Sequence, residues 1–211
     1  MRLYRYKHCA HPAFFDKPGP AATTWPDELR EYFHGVLLHF RQESGHYYWQ
    51  VLVADDPVRL AACRDHFGDE RRDYAQALRD HYHKGPPDDW QSEYVSPYAS
   101  AHPWEDFAET WSQYLQLVAL VAATDARGRA LTSYPERQLL ALAGTAARDA
   151  GFRALLRRWM PASVRAKRLR RRHGHEAPHR FAPPPPVIRK MEWIHRLVQE
   201  SLLAMQAPRL A

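Results

Sequence analysis

The sequence predicts an all-α or α-dominated protein with minor or no sheet, and three observations carry that expectation. Apolar residues recur at helical spacing through Phe33, Val36, Leu37, Phe40, Tyr47 and Val51, and again along WEDFAETWSQYLQLVALVAA. Thr24-Trp-Pro-Asp27 and Ser133-Tyr-Pro-Glu136 both have the form of a helix start, with a hydroxyl cap, a first-turn proline and an acid at the capping-box position. No series of strand-like alternating segments and no internal repeat interrupts this pattern.

Taken in order, residues 1–23 are rich in Pro, Gly and aromatics without a sustained period and read as an irregular arm. A long helix follows from Thr24 to about Ala54, locally weakened by Gly45. Asp55-Asp56-Pro57 restarts a helix, Gly68 interrupts it and Gly85-Pro86-Pro87 ends it, which predicts a bent helical arm over 57–83. After a loop, Pro103 opens a helix with acids near its start, where the helix dipole favours them. In that helix Trp104, Phe107 and Trp111 have the spacing of core residues. Ser133 begins a further helix expected to reach about Ala150 and stop at Gly151. Residues 161–172 suit a basic helix, 173–186 a His-rich and Pro-rich linker, and Val187 to about Met205 a last amphipathic helix.

With 211 residues, 45% of them hydrophobic, the chain can bury one core. Cys9 and Cys63 stand far apart with no CxxC pair, so neither a disulfide framework nor a cysteine zinc site is complete, and a reducing cytoplasmic setting fits. No run has the length of a signal-peptide core or of a membrane span, so no membrane association is expected. The net charge of +6 is spread unevenly, with a cluster around 157–172.

The chemistry concentrates in HFRQESGHYYW, residues 39–49. Helical residues four apart project from one face, offset by about 40° and about 6 Å, so positions 42 and 46 can grip one ion. An adjacent glutamate, Glu43, is then placed to act on water as a general base, the arrangement of the HExxH zinc motif. Gln42 stands at the first histidine position, and its amide oxygen is a far weaker donor to zinc than an imidazole nitrogen. His39 cannot replace it, because seven residues of straight helix put it about 10.5 Å from His46 along the axis. A third ligand can come from Glu105 or Glu109, four apart on one helix, with the other in support. Tyr94 and Tyr98, in the loop before that helix, offer a phenol to an oxyanion.

HFRQESGHYYW, FGDERRDYAQALRDHYHKGPPDDW, YVSPYASAHPWEDFAETWSQYL and PPVIRKMEWIHRLV together resemble the bacterial zinc-binding metallopeptidase family, whose pattern carries HESGHYYW and HPWEDFAET. The resemblance is dense over residues 30–120 and loose over 150–200. It implies a zincin-like helical domain over 24–211, Zn2+ as cofactor and hydrolysis of a peptide or protein substrate. By residue it implies His46 as a ligand, Glu43 as the base and Glu105 as the third ligand, with Glu109 supporting and Tyr98 at the oxyanion by analogy. YKHCAHPAFF resembles the opening of the family's cysteine zinc ribbon, but Tyr6 takes a cysteine position and the later cysteines are missing, so residues 1–23 are expected to be a degenerate ribbon-like arm.

Three readings follow: a zinc peptidase with QExxH for HExxH, a catalytically impaired member acting as a binding or regulatory protein, and a basic nucleic-acid-binding helical protein. The last would use Arg165, Lys167, Arg168, Arg170, Arg171 and Arg172 against phosphates. That tract has no aromatic interleaving, so a solvated basic face is its simpler explanation, as surface exposure is for the histidines at 173, 175 and 179.

Overall fold

A computed structural model of the chain describes residues 25–125, 149–160 and 183–206, and these are helical with no strand among them. The arm over 1–23, residues 133–148 of the helix expected to run from Ser133 to about Ala150, and the basic tract at 165–172 lie outside the described residues.

The first helix, α1, runs Trp25–Leu52, and the expected restart follows at α2, Pro57–Phe67. Asp56 caps α2 by accepting from the Val58 and Arg59 amides at 3.0 and 3.1 Å, while Pro57 needs no donor partner there. The expected bent arm is instead two separate helices, because Gly68, at φ 93°, turns the chain out of α2. The turn is tied by the Arg64 guanidinium forking onto Glu70 at 2.9 and 2.5 Å. Asp73 then caps the third helix, α3, over Tyr74–Lys84, through the Gln76 amide at 2.9 Å. Short 3₁₀ turns at Trp90–Ser92 and Tyr98–Ser100 lead into α4, Pro103–Asp125.

Gly151 does not stop a helix; it lies within the first turn of one, α5, which covers residues 150–160. Asp149 explains the difference, since its Oδ1 accepts from the Phe152 amide at 2.7 Å and starts the helix one residue ahead of the glycine. The last helix, α6, is Pro185–Gln206, so Pro185 and Pro186 belong to its first turn rather than to a linker.

Helix α4 is the central element. Phe107, Trp111, Tyr114, Leu117 and Val121 line its buried stripe and meet Phe67 of α2, Phe152 and Leu156 of α5, and Ile188, Met191 and Ile194 of α6. Phe67, Phe107 and Trp193 pack edge to face with centroids 5.4 to 6.2 Å apart. Phe107 and Trp111 are core as expected, whereas Trp104 is only partly buried and stands beside His46.

On its other side α4 crosses α1 at unusually short range. A Cβ on Gly45 would stand 2.8 Å from the Ala108 Cα and 3.1 Å from its carbonyl oxygen. Trp111 Nε1 donates to Ser44 Oγ at 3.2 Å, and Tyr48 stacks on the Trp111 ring at 4.9 Å. Helix α6 is anchored differently. Lys190 Nζ meets Asp106 Oδ2 at 2.6 Å with both side chains buried, and also donates to the Glu93 carbonyl at 2.9 Å. Burial pushes the Asp106 carboxyl up to about 6 despite the lysine beside it.

Two stability changes follow. Gly45→Ala gains up to about 1 kcal/mol of helix propensity, but it forces two backbones apart at a cost of about 1–3 kcal/mol, so net destabilisation in a denaturant titration is expected. Lys190→Met leaves Asp106 without its cation and should cost about 3–5 kcal/mol in the same measurement.

Candidate metal centre

Positions 42 and 46 of α1 face the start of α4, and the two helices bring the partly buried Gln42 together with His46 and Glu105. His46 and Glu105 are each only 1% exposed. His46 Nε2 lies 3.4 Å from Glu105 Oε2, and Gln42 Nε2 lies 3.3 Å from the same oxygen. The other oxygen, Oε1, accepts from the Tyr74 hydroxyl at 2.5 Å. Burial works against the Glu105 charge, yet the bonds from His46 and Tyr74 outweigh it and hold the carboxyl below its usual range.

Glu109, one turn further along α4, is not part of this contact. It has Ser96 as a hydrogen-bond partner, and burial, reinforced by the charge of Glu105, pushes its carboxyl up to about 7. The structure thus sets Glu105 rather than Glu109 against His46. Glu43 projects to the more open side of α1, 28% exposed, with Oε1 3.6 Å from His39 Nε2. Tyr98 is half-buried at the 3₁₀ turn before α4, and burial followed by the charge of Glu105 raises its phenol, which keeps it a protonated donor. Tyr94 lies elsewhere, its ring 4.5 Å beneath the Lys190 ammonium.

Two residues of the site carried no role in the sequence reading. Tyr74 opens α3 directly after its cap, and its phenol crosses to Glu105. His102 caps α4: its Nδ1 accepts from the Trp104 amide at 3.1 Å, so Nε2 carries the proton and donates to the Arg72 carbonyl at 3.1 Å. Burial lowers the His102 pKa and favours this neutral form. The visible signal for His102 was its place immediately before Pro103, a capping position; nothing in the sequence marked Tyr74 as a partner of Glu105. His46 rests against the Trp104 ring at 4.2 Å, and its Nδ1 and Trp104 Nε1 are both buried without a hydrogen-bond partner among the described residues. Each such orphan costs about 1–3 kcal/mol, which marks a site whose polarity is not spent on folding.

The fit to zinc can be tested on these distances. Two ligands of a tetrahedral zinc, each 2.0–2.2 Å from the metal, stand about 3.3–3.6 Å apart. The contacts His46 to Glu105 at 3.4 Å and Gln42 to Glu105 at 3.3 Å match that edge, and both are long for charge-assisted hydrogen bonds. Turning the Gln42 amide over presents its oxygen instead of its nitrogen from the same place. Among the described residues no three His, Cys, Asp or Glu side chains converge as a metal-holding group, and the Gln42 amide is the further polar group beside His46 and Glu105. The two spacings to Glu105 Oε2 fit the edge of a zinc site.

Below neutral pH the metal-free fold should gain stability from Glu109. A carboxyl near 7 when folded and 4.5 as a free side chain holds an extra proton in the native state between those values. Its contribution is full below 4.5 and is lost as pH rises through 7. Glu109→Gln should flatten that loss when unfolding free energies of the metal-free protein are compared at acid and mildly alkaline pH.

The family described as "Putative zinc-binding metallo-peptidase" matches residues 21–197. Uncharacterized proteins of Mycobacterium tuberculosis and Mycobacterium bovis are 36% identical over 174 residues, covering 82% of this chain and 49% of theirs. The chain thus spans about half the length of the curated relatives it matches. No solved structure matches it significantly. No helix among the described residues is long and apolar enough to cross a membrane. With QExxH on α1 facing Glu105 of HPWEDFAET on α4, and a family match that takes in both helices, the chain belongs to the zinc-binding metallo-peptidase family.

Proposed function

We propose that the chain is a zinc-dependent peptidase of lowered metal affinity, acting on a peptide or protein substrate. The meeting of His46 and Glu105 at 3.4 Å, with the Gln42 amide 3.3 Å from the same carboxylate oxygen, is the observation that supports it. His46, Glu105 and Gln42 would hold the ion, which when bound supplies Lewis acidity toward a carbonyl and toward water. Glu43, on the open side of α1 and adjacent to the ligand positions, takes the proton from the attacking water and returns it to the leaving amine. Tyr98, kept protonated by burial, donates to the oxyanion. Trp104 walls His46 and limits water around it.

A second reading, a binding or regulatory protein that has lost efficient catalysis, is favoured by one specific observation. The Gln42 amide brings its own N–H donors, so Glu105 can be satisfied by Gln42, Tyr74 and His46 without an ion.

Metal analysis separates the two. The first reading expects zinc retained by the purified protein and a more than tenfold gain in affinity in Gln42→His, about 1.4 kcal/mol or more. It also expects cleavage of unfolded protein or fluorogenic peptides to fall by about 10²–10⁴ in Glu43→Gln. Full activity in Glu43→Gln would overturn Glu43 as the base and the second reading with it, whereas no hydrolysis by either the parent or Gln42→His would leave the second reading standing.

A further inference from the structure

Glu105 presents two unlike oxygens. Oε2 faces His46 and Gln42, while Oε1 is taken by the Tyr74 hydroxyl at 2.5 Å, the shortest of its contacts. A phenol on one oxygen leaves the carboxylate a single free corner toward the ion, and it removes the rotational freedom by which a carboxylate slips between one-oxygen and two-oxygen binding. We propose that Tyr74 is the positioning residue of this metal centre, setting Glu105 as a one-oxygen ligand through Oε2; this rests on the zinc-holding reading above.

The fold builds Tyr74 into place from three directions. Asp73 starts α3 at this residue, through the Gln76 amide at 2.9 Å. His102, the cap of α4, reaches back to the Arg72 carbonyl, so one imidazole registers the start of α3 against the start of α4. The Tyr74 ring stands edge-on to His102 at 5.1 Å and to Trp104 at 5.7 Å, between the residue that caps α4 and the residue that walls His46. The α3–α4 register and the two ring contacts thus carry the phenol to Glu105. A tyrosine used only for packing would need the ring but not the hydroxyl.

Tyr74→Phe keeps the ring and removes the bond. Zinc affinity, measured by competition with a chromophoric chelator, is expected to fall 10–100-fold. Substituted cobalt is expected to change the intensity of its visible absorption as Glu105 gains freedom to bind through both oxygens. The thermal midpoint of the metal-free protein should move little by comparison with the loss of zinc-induced stabilisation. The same pair is compared in the Gln42→His background, with and without Tyr74→Phe. Equal zinc affinity and an unchanged cobalt spectrum in Tyr74→Phe, in whichever background binds metal, overturn the role of Tyr74. Absence of binding in the parent together with a Tyr74 effect in Gln42→His overturns the zinc reading of the natural site and supports the positioning role. Absence of binding in both backgrounds overturns both.

Discussion

The distance between α1 and α4 governs this structure, and Gly45 against Ala108 sets it. With hydrogen in place of a methyl, the α1 backbone comes within contact of the α4 backbone, where a Cβ would meet the Ala108 Cα at 2.8 Å. Gly in a helix interior costs about 1 kcal/mol relative to Ala, so local propensity argues against it. Its position explains it: Gly45 precedes His46, and Ala108 lies one turn after Glu105, so the closest approach of the backbones is also where the two donor side chains must meet. A wider crossing would strand a buried imidazole and a buried carboxylate out of reach of each other, each then paying an uncompensated desolvation penalty.

The start of α4 handles two consecutive buried acids in opposite ways. Glu105 and Asp106 are about 100° apart around the helix, so one turns to α1 and the other to α6. Asp106 receives a full cation, Lys190, and the pair pins α6 across the core. Glu105 receives hydrogen bonds from Tyr74 and Gln42 and the ring of His46, with no lysine or arginine among the described residues paired to it. Structural and candidate functional carboxylates are thus distinguishable by what neutralises them. An ion pair is closed by its partner, whereas a carboxylate held by weaker donors keeps attraction for a further positive charge.

Gln42 alters this balance without altering the geometry. Its amide spans nearly the same place that a ligand would occupy, as the 3.3 Å contact to Glu105 indicates. It differs in electronic strength, since a neutral amide oxygen is a poor zinc donor, and in carrying N–H groups that can satisfy Glu105 directly. Around it the Trp104 ring lies against His46 and the Tyr74 hydroxyl holds Glu105.

Helix positions, caps and the motif pairing were legible in the sequence because each depends on neighbours within a few residues. Asp56-Pro57, Pro103, Gly85 and the four-residue spacing of Gln42 and His46 needed no tertiary partner to be read. Long stretches such as YVSPYASAHPWEDFAETWSQYL also carried the family, since so many matched residues leave little room for coincidence. Gly151 was misread because a glycine near a helix end marks a stop or a start depending on which side the chain packs, and Asp149 decided for a start. Helix spacing alone left Glu105 and Glu109 equivalent and only the family resemblance favoured Glu105, because both lie on one helix face and the crossing with α1 decides which of them meets His46. Nor was the contact of Tyr74 with Glu105, 31 residues away, which exists because His102 locks two helix starts together. The sequence by itself determined which side chains with metal-site chemistry are present and on which helices they ride. The tertiary structure decided which of them meet, because meeting depends on how closely two backbones can approach.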